Sequence, residues 1–489
     1  MLDVISILLA VAIGVVLVEA FDPARGIEPR WAATLFTVAL GTGVGIAISS
    51  IVFLLLDISG AATPATIFGL DAGLLAFCGW LRFRTRRPAS PSASGPTLPG
   101  FRWTWLLGLT FAGVFAVLFA RLVQIAAALP VGDWDAWALW NLRAKFLAGP
   151  AGAWRYAFSP LLSNSHPDYP PLLSAFIARA WKAGGNMDAI APMVTSLLFF
   201  TALIALLVSA VAMLRGAASG LLAGLVILST TSLLNWAPAQ YADIPLAFYY
   251  LGAAALVFID ADGTSDRRWP LLWAGLCASF AAWTKNEGIV FLATLAIVFS
   301  ILTLWRKRNA AGWSGIGWLA AGAAPGIALT LWFKFFLAPP SDALVKQGTS
   351  GLAKLGDFSR YAQIAGGLFS NLLTLGSGVT HPFILLAILA VLLRWEFEER
   401  YRLASLITGA VVVLVFLSYC GVLLITPYGL EWQVQSSVDR LILQVWPSAL
   451  LVFFVQLKRV RDAAPAPIPA KAQATTRRSK PVTAGKSRS

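Results

Sequence analysis

The aspartates of one stretch are the residues whose types and spacing best suit chemistry. Asp133 and Asp135 flank Trp134 immediately after an apolar segment, in the sequence VGDWDAWALWNLRAKFL. A carboxylate in this position can take a proton from a hydroxyl or an amine, or help to hold a divalent cation against a phosphate. Acids at this spacing are also common as solvated loop residues. The pair alone therefore does not decide between a catalytic and a structural role.

Aromatic and basic residues lie between and shortly after these aspartates. Trp134 and Trp137 offer ring faces that stack on sugars, although tryptophans in such a position also form the aromatic belt of a membrane interface. Arg143 and Lys145 add cations that suit a phosphate. The combination favours a site for a phosphorylated or sugar-bearing substrate.

A second polar motif, HPDYPPL, lies further along the same stretch. It contains His166, Asp168 and Tyr169, and its prolines predict an extended turn before a helix from Leu172 to Trp181. His166 is suited to bind a metal or donate a proton, but a structural hydrogen bond explains it equally well. A zinc site would need more ligands than this chain offers.

Charged residues also lie where later apolar segments begin or end. Asp243 either caps the helix that it precedes or contacts substrate. Lys285 and Glu287 stand between two short apolar segments; we expect Lys285 to bind phosphate, although a simple ion pair between them is the alternative. Arg440 can bind a phosphate through its planar donors or anchor the last apolar segment beside Asp439.

Composition excludes a soluble globular protein. The 489 residues are 58% hydrophobic and only 12% charged, with a mean hydropathy of +0.75. Apolar runs of 17 residues or more show no strand alternation, so they predict helices that satisfy their own backbone within lipid. We therefore predict an all-α polytopic integral membrane protein with about 13 transmembrane helices. The three cysteines fall within apolar runs and are predicted to be small buried residues.

The net charge of +14 is concentrated between and after these runs, which argues for membrane topology and against nucleic-acid binding. Basic clusters mark cytoplasmic loops, so the aspartate stretch and the other charged sites are predicted to share the outer face. Asp57 and Asp71 are predicted to be loop or interfacial residues.

The predicted regions are an N-terminal three-helix membrane unit (1–81), a cytoplasmic Arg/Pro/Ser linker (82–102), a membrane module (103–457) with an outer loop (131–187), and a disordered basic cytoplasmic tail (458–489).

In their order and common outer placement, these motifs resemble those of the GT-C superfamily of membrane glycosyltransferases. The similarity is to the branch of protein O-mannosyltransferases and lipid A aminoarabinose transferases. It covers about Trp103 to Leu457 and rests on DWDAW, HPDYPPL, YADIPLA, WTKNEG and VDRLILQVWP. The chain departs from the family in having three additional N-terminal helices and no sizeable soluble C-terminal domain.

The resemblance implies a sugar donor linked to polyprenyl phosphate, inversion at the anomeric carbon and a loop aspartate as base. Asp135, or failing that Asp133, corresponds to that base. Asp168 resembles the second acidic position of the loop, whereas Lys285 and Arg440 resemble contacts to the lipid phosphate. A divalent cation, Mg²⁺ or Mn²⁺, is optional because these two side chains can replace it.

The sequence does not determine whether the acceptor is a lipid, a glycan or a protein. We expect an inner membrane location in a bacterium, with the active site on the periplasmic face. Two other functions remain possible from the sequence: a transporter or flippase of lipid-linked sugars, and a glycan polymerase or ligase. A transporter should carry charges in midplane helices, and a polymerase should have a large outer loop in its second half.

Overall fold

The computed structural model of the chain describes residues 1–85, 103–263, 268–306, 308–341, 346 and 350–460. Within these residues the fold is all-helical, with 82% helix, and an isolated antiparallel bridge pairs Trp395 with Leu457. Most of the predicted linker (86–102) and of the predicted tail (461–489) lies outside the described residues.

The α-helices follow the apolar segments of the sequence. They are α1 Leu2–Ala20, α2 Arg30–Ile58, α3 Pro64–Thr85, α4 Thr104–Ala128, α5 Asn141–Leu147, α6 Leu172–Gly184, α7 Ile190–Arg215, α8 Ala217–Leu228, α9 Thr231–Trp236, α10 Asp243–Asp262, α11 Trp269–Thr284, α12 Asn286–Arg306, α13 Ala310–Phe336, α14 Ser350–Ala353, α15 Phe358–Leu373, α16 Pro382–Leu393, α17 Glu399–Ile425 and α18 Leu430–Val455. A π-helical turn, Ala136–Trp140, precedes α5.

Ten helices of the described chain are long and apolar enough to cross a membrane: α1, α2, α3, α4, α7, α10, α12, α13, α17 and α18. The protein is therefore an integral membrane protein. The other three predicted spans are also helical but shorter, with 12 residues in α8 and α16 and 16 residues in α11. The total of 13 spans stays a prediction.

One predicted segment, Leu221 to Leu234, is interrupted in the structure. α8 ends at Leu228, and α9 begins at Thr231. Residues that are distant in sequence form hydrogen bonds at this interruption. Trp446 Nε1 donates to Thr230 Oγ1 at 3.0 Å, and Thr231 N donates to the carbonyl oxygen of Leu375 at 2.8 Å. Such partners compensate for the helical hydrogen bonds that end there.

The helix α10 lies at the centre of the bundle, packed against α7, α11, α17 and α18. Its 20 residues are about 30 Å long at 1.5 Å per residue. Because its first residue is Asp243 and its last is Asp262, we use these residues to name the two ends of the bundle. The Asp243 end carries the outer loop of the sequence analysis, and α6 of that loop packs on α1, α2 and α3.

Ion pairs join the helices at the Asp262 end. The Arg215 guanidinium binds the carboxylates of Glu398 and Glu396 and donates to the carbonyl oxygen of Val455. Arg400 Nη1 lies 2.8 Å from Asp262 Oδ1. These contacts connect α7, α10, α17, α18 and the segment before α17 into one layer.

Candidate active site

Asp135 and Arg440 meet at the Asp243 end although 305 residues separate them in the chain. Arg440 Nη1 lies 2.5 Å from Asp135 Oδ2, and both side chains are largely buried. Asp135 immediately precedes the π-helical turn Ala136–Trp140. Single π-helical turns are frequent at functional sites, because the extra residue changes the direction in which neighbouring side chains point.

Asp243 connects this ion pair to Lys285. Its Oδ1 accepts from Gln444 Nε2 at 2.5 Å and from Lys285 Nζ at 3.2 Å, while its Oδ2 lies 3.8 Å from Arg440 Nη1. The N-cap residue of α10 is Ala242, and Asp243 is the first residue of the helix. Asp243 therefore does not occupy the capping position, and its carboxylate binds Gln444 and Lys285 instead.

Lys285 occupies the turn between α11 and α12 and has an extended backbone there. A Cβ on Gly288 would lie 1.9 Å from the carbonyl oxygen of Ala281, so α12 can pack this closely against α11 only with glycine at that position. Lys285 Nζ also pairs with Glu287 Oε1 at 2.8 Å, as the ion-pair alternative predicted. Burial acts to lower the pKa of Lys285, but the carboxylates of Asp243 and Glu287 outweigh it, and the pKa is raised.

A second group of contacts holds the HPDYPPL segment. Asp168 is buried, and its Oδ2 accepts from Asn286 Nδ2 at 2.8 Å. Lys334 Nζ donates to the backbone oxygen of Asp168 at 2.5 Å and to Asn286 Oδ1 at 2.7 Å. Residues of α12 and α13 thus fix the segment beside Lys285 and Glu287.

His166 and Tyr169 stack on each other, with ring centroids 4.9 Å apart and an interplanar angle of 12°. His166 has a φ of 45°, in the left-handed region, which is uncommon for a residue with a side chain and marks a constrained turn. Burial lowers the pKa of His166, so that its neutral form prevails at neutral pH. The Lys285 ammonium lies over the other ring of the pair, 5.9 Å from the Tyr169 centroid.

Arg143 lies behind this segment rather than in the cluster of Asp135 and Arg440. It is fully buried, and its Nη2 donates to the backbone oxygen of Tyr169 at 2.7 Å. Burial lowers the pKa of Arg143 to about 10, opposed by the charge of Asp168. Its observed contact supports the loop from the inside.

Aromatic residues border the cluster. The Arg440 guanidinium lies over the rings of Trp236 and Tyr241, 5.6 and 5.1 Å from their centroids. Trp134 and Trp137 are exposed and meet edge to face at 4.6 Å. They are close to Asp135 in sequence and present free ring surface beside it.

Besides Arg143, two more predicted residues are not brought into the cluster. Asp133 is exposed, and its carboxylate accepts from the backbone nitrogen of its neighbour Trp134 at 2.7 Å. Lys145 is exposed, and no described residue pairs with its ammonium. Lys145 and Arg143 are two residues apart on α5, which places them on nearly opposite sides of a helix, and Arg143 occupies the buried side.

The cluster also contains residues that the sequence analysis did not select. Gln444 lies one turn after Arg440 on α18, and Lys334 lies in the last turns of α13. Each was detectable as a polar or charged side chain inside an apolar helix, which is a functional signal in membrane proteins. Asn286 gave no such signal, because it lies between Lys285 and Glu287 at the start of α12 and not inside an apolar helix.

Several buried polar atoms around this cluster have no hydrogen-bond partner among the described residues. They are Trp140 Nε1, Asn141 Oδ1, Arg143 Nε and Nη1, Asp168 Oδ1, Glu287 Oε2, Arg440 Nε and Gln444 Oε1. Buried polar groups in native proteins are nearly always satisfied, so a concentration of unpaired ones calls for an explanation. Buried water or a bound polar ligand would supply partners for those that belong to the contact network of Lys285 and Arg440, namely Asp168 Oδ1, Glu287 Oε2, Arg440 Nε and Gln444 Oε1.

The donor set does not fit a preformed metal site. In the parts of the chain that the structure describes, no three His, Cys, Asp or Glu residues are grouped closely enough to hold an ion. The carboxylates of Asp135, Asp243 and Glu287 are instead paired with Lys285 or Arg440.

Comparison of this chain with protein families, curated proteins and solved structures finds no match. The GT-C resemblance therefore stays a prediction from the motifs.

Proposed function

We propose that the protein is an inverting glycosyltransferase that moves a sugar from a polyprenyl-phosphate donor to a lipid, glycan or protein acceptor. The observation that carries the proposal is the continuous contact from Asp135 through Arg440 and Asp243 to Lys285. This arrangement puts a candidate base and two candidate phosphate ligands in one cluster. The unpaired polar atoms around it support binding of a polar substrate.

In the proposed reaction, Lys285 and Arg440 bind the donor phosphate, and the sugar lies against Trp134 and Trp137. The acceptor oxygen attacks the anomeric carbon from the face opposite the phosphate, and its proton passes to Asp135. The bond between the anomeric carbon and the phosphate oxygen breaks, and polyprenyl phosphate leaves with the electron pair. Cations held in a water-poor site stabilise the charge that develops on this oxygen.

The contact between Asp135 and Arg440 suggests how substrate binding prepares the base. In the structure Arg440 Nη1 lies 2.5 Å from Asp135 Oδ2. A donor phosphate that attracts Arg440 would weaken this pair. The Asp135 carboxylate would then be free to accept a hydrogen bond from the acceptor hydroxyl.

The distribution of basic residues supports the orientation of the site. Arg215, Arg268, Arg306 and Arg394 all lie at the ends of helices that reach the Asp262 end. Under the positive-inside rule this end is cytoplasmic. The Asp243 end then faces outward. In a bacterial inner membrane this is the periplasmic side, where polyprenyl-linked sugars would meet their acceptors.

The test uses purified protein in liposomes with a radiolabelled polyprenyl-phosphate sugar and a membrane lipid extract as acceptor. We expect Asp135→Asn to reduce release of polyprenyl phosphate by about 10²–10⁴-fold, the usual effect of losing a general base. Asp133→Asn is the matched control and should retain nearly full activity, because its carboxylate contacts none of the cations.

Undiminished turnover in Asp135→Asn would remove the catalytic assignment. Movement of labelled donor across the bilayer without release of polyprenyl phosphate would favour a transporter instead. Loss of activity in Asp133→Asn alone would transfer the base to that residue.

A further inference from the structure

The arginine of α6 is buried against the three N-terminal helices. Arg179 Nη2 forms an ion pair with the Asp71 carboxylate of α3, and Nη1 donates to both the backbone oxygen and the hydroxyl of Ser6 in α1, at 2.9 and 2.7 Å. All three residues are buried, with at most 3% exposure. Asp71 therefore lies within a helix, and the prediction of a loop residue is wrong.

The contact with Arg179 is a large part of the buried surface of α3, because few residues of that helix are buried. Asp71 is one of three buried residues in α3, with Ile67 and Cys78. An arginine that reaches two helices through three hydrogen bonds fixes position more strictly than apolar packing does, because its planar donors are directional.

A second cation of α6 lies one turn further on. Lys182 Nζ donates to the backbone oxygens of Gly149 and Ala148, at 2.6 and 3.4 Å. The Asp57 carboxylate lies within α2, not in a loop, and is also buried. α6 is thus held to α3 by an ion pair and to α1 by hydrogen bonds, and Lys182 joins it to the segment that follows α5.

The opposite side of α6 contacts the candidate active site. The Ser174 hydroxyl donates to the backbone oxygen of Trp140 at 2.8 Å, which ends the π-helical turn after Asp135. α6 begins at Leu172, directly after the HPDYPPL motif that contains Asp168. Any shift of α6 therefore moves both aspartate-bearing segments.

We propose that the three N-terminal helices position the acidic loop of the active site through the buried contacts of Arg179 with Asp71 and Ser6. Arg179 and Asp71 are positioning residues and touch no substrate. The inference rests on the proposed function, since it assigns these helices a role in the transfer reaction.

The geometry predicts a specific kinetic effect. Asp135 belongs to the segment that α6 holds, whereas Lys285 and Arg440, the proposed phosphate ligands, belong to the α11–α12 turn and to α18. Loss of the Arg179 contact should therefore lower kcat more than it raises the KM for the donor, because Asp135 moves with the loop whereas both phosphate ligands keep their own supports. A displacement of about 1 Å is enough to reduce the rate of a reaction by about 100-fold.

The experiment uses the full chain with the double substitution Asp71→Leu and Arg179→Met. Replacing a buried ion pair by apolar residues of similar size is often neutral for stability, so this variant should fold. The matched control is Arg215→Met with Glu398→Leu, which removes an ion pair between a buried arginine and a half-buried glutamate at the Asp262 end. Hydrogen exchange of peptides within 133–171 is measured beside kcat and KM.

We expect the Asp71/Arg179 variant to lose about 100-fold in kcat, to show a smaller change in donor KM and to exchange faster within 133–171. The control should change none of the three. Arg179→Lys, which keeps the charge but reaches fewer partners, should fall between wild type and the double variant. It serves as the second test if the double variant fails to fold.

Full kcat and unchanged exchange in the Asp71/Arg179 variant would overturn the inference. If Asp135→Asn is inactive while the double variant is fully active, the inference fails and the proposed function stands. If the wild-type protein transfers no sugar, the exchange data still decide whether Arg179 holds the loop, so the two failures are distinguishable.

Discussion

Asp243 should contribute to stability more than any other single carboxylate of the candidate site. It is 1% exposed, accepts from Gln444 at 2.5 Å and from Lys285 at 3.2 Å, and lies 3.8 Å from Arg440. We expect Asp243→Asn to keep the shape of the side chain while removing the charge that two cations share.

The magnitude follows from what each cation retains. Breaking a buried ion pair so that one charge is left alone costs about 3–5 kcal/mol, and a hydrogen bond to a charged group contributes about 1.5–3 kcal/mol. After the substitution Lys285 still has Glu287 at 2.8 Å, and Arg440 still has Asp135 at 2.5 Å. The expected loss is therefore nearer the lower range, about 2–3 kcal/mol of unfolding free energy.

Thermal unfolding in detergent, followed by the fluorescence of the 20 tryptophans, measures this loss. For a chain of this size we expect the midpoint to fall by about 2–6 °C. The matched control is Asp133→Asn, an exposed carboxylate without a cationic partner, for which we expect a change of about 0.5 kcal/mol or less. An unchanged midpoint in Asp243→Asn, or an equal fall in both variants, would refute the reasoning.

Two further predictions concern the loop. Lys334→Met should reduce kcat about tenfold at constant donor KM, because Asp168 and Asn286 lose the ammonium that joins them; Lys145→Met is its control, and equal effects of the two would contradict the assignment. His166 has a lowered pKa in the folded protein, so the unfolded chain binds its proton more readily as the pH falls below about 6.5, and acidification destabilises the fold. Between about pH 7.5 and 5.5, His166→Gln should therefore lose less thermal stability than the wild type, and identical pH profiles would refute this.

Much of the secondary structure was predictable, because it follows from local hydropathy. A backbone within lipid must satisfy its own hydrogen bonds, so long apolar runs indicate helices wherever they occur. The interruption between α8 and α9 was not predictable in this way. It depends on Trp446 and Leu375, which reach Thr230 and Thr231 from distant parts of the chain.

The candidate site was predictable as a set of residues but not as an arrangement. The motifs selected Asp135, Lys285 and Arg440 because acids, bases and aromatics are rare in so apolar a chain. They left open whether Asp243 would cap its helix or contact substrate, and they did not indicate that Arg143 would face the interior. On α5, Arg143 and Lys145 are equivalent in charge, and only the packing of the loop distinguishes the buried one from the exposed one.

The sequence by itself determined an integral membrane protein of helices and a polar loop in which charged residues gather. Tertiary structure decided which acid meets which base: Asp135 with Arg440, Asp243 with Lys285, and Asp71 with Arg179. The physical reason is one of range. Hydropathy acts along neighbouring residues and is visible in a linear pattern, whereas an ion pair depends on atoms a few ångströms apart that the chain brings together from hundreds of residues away.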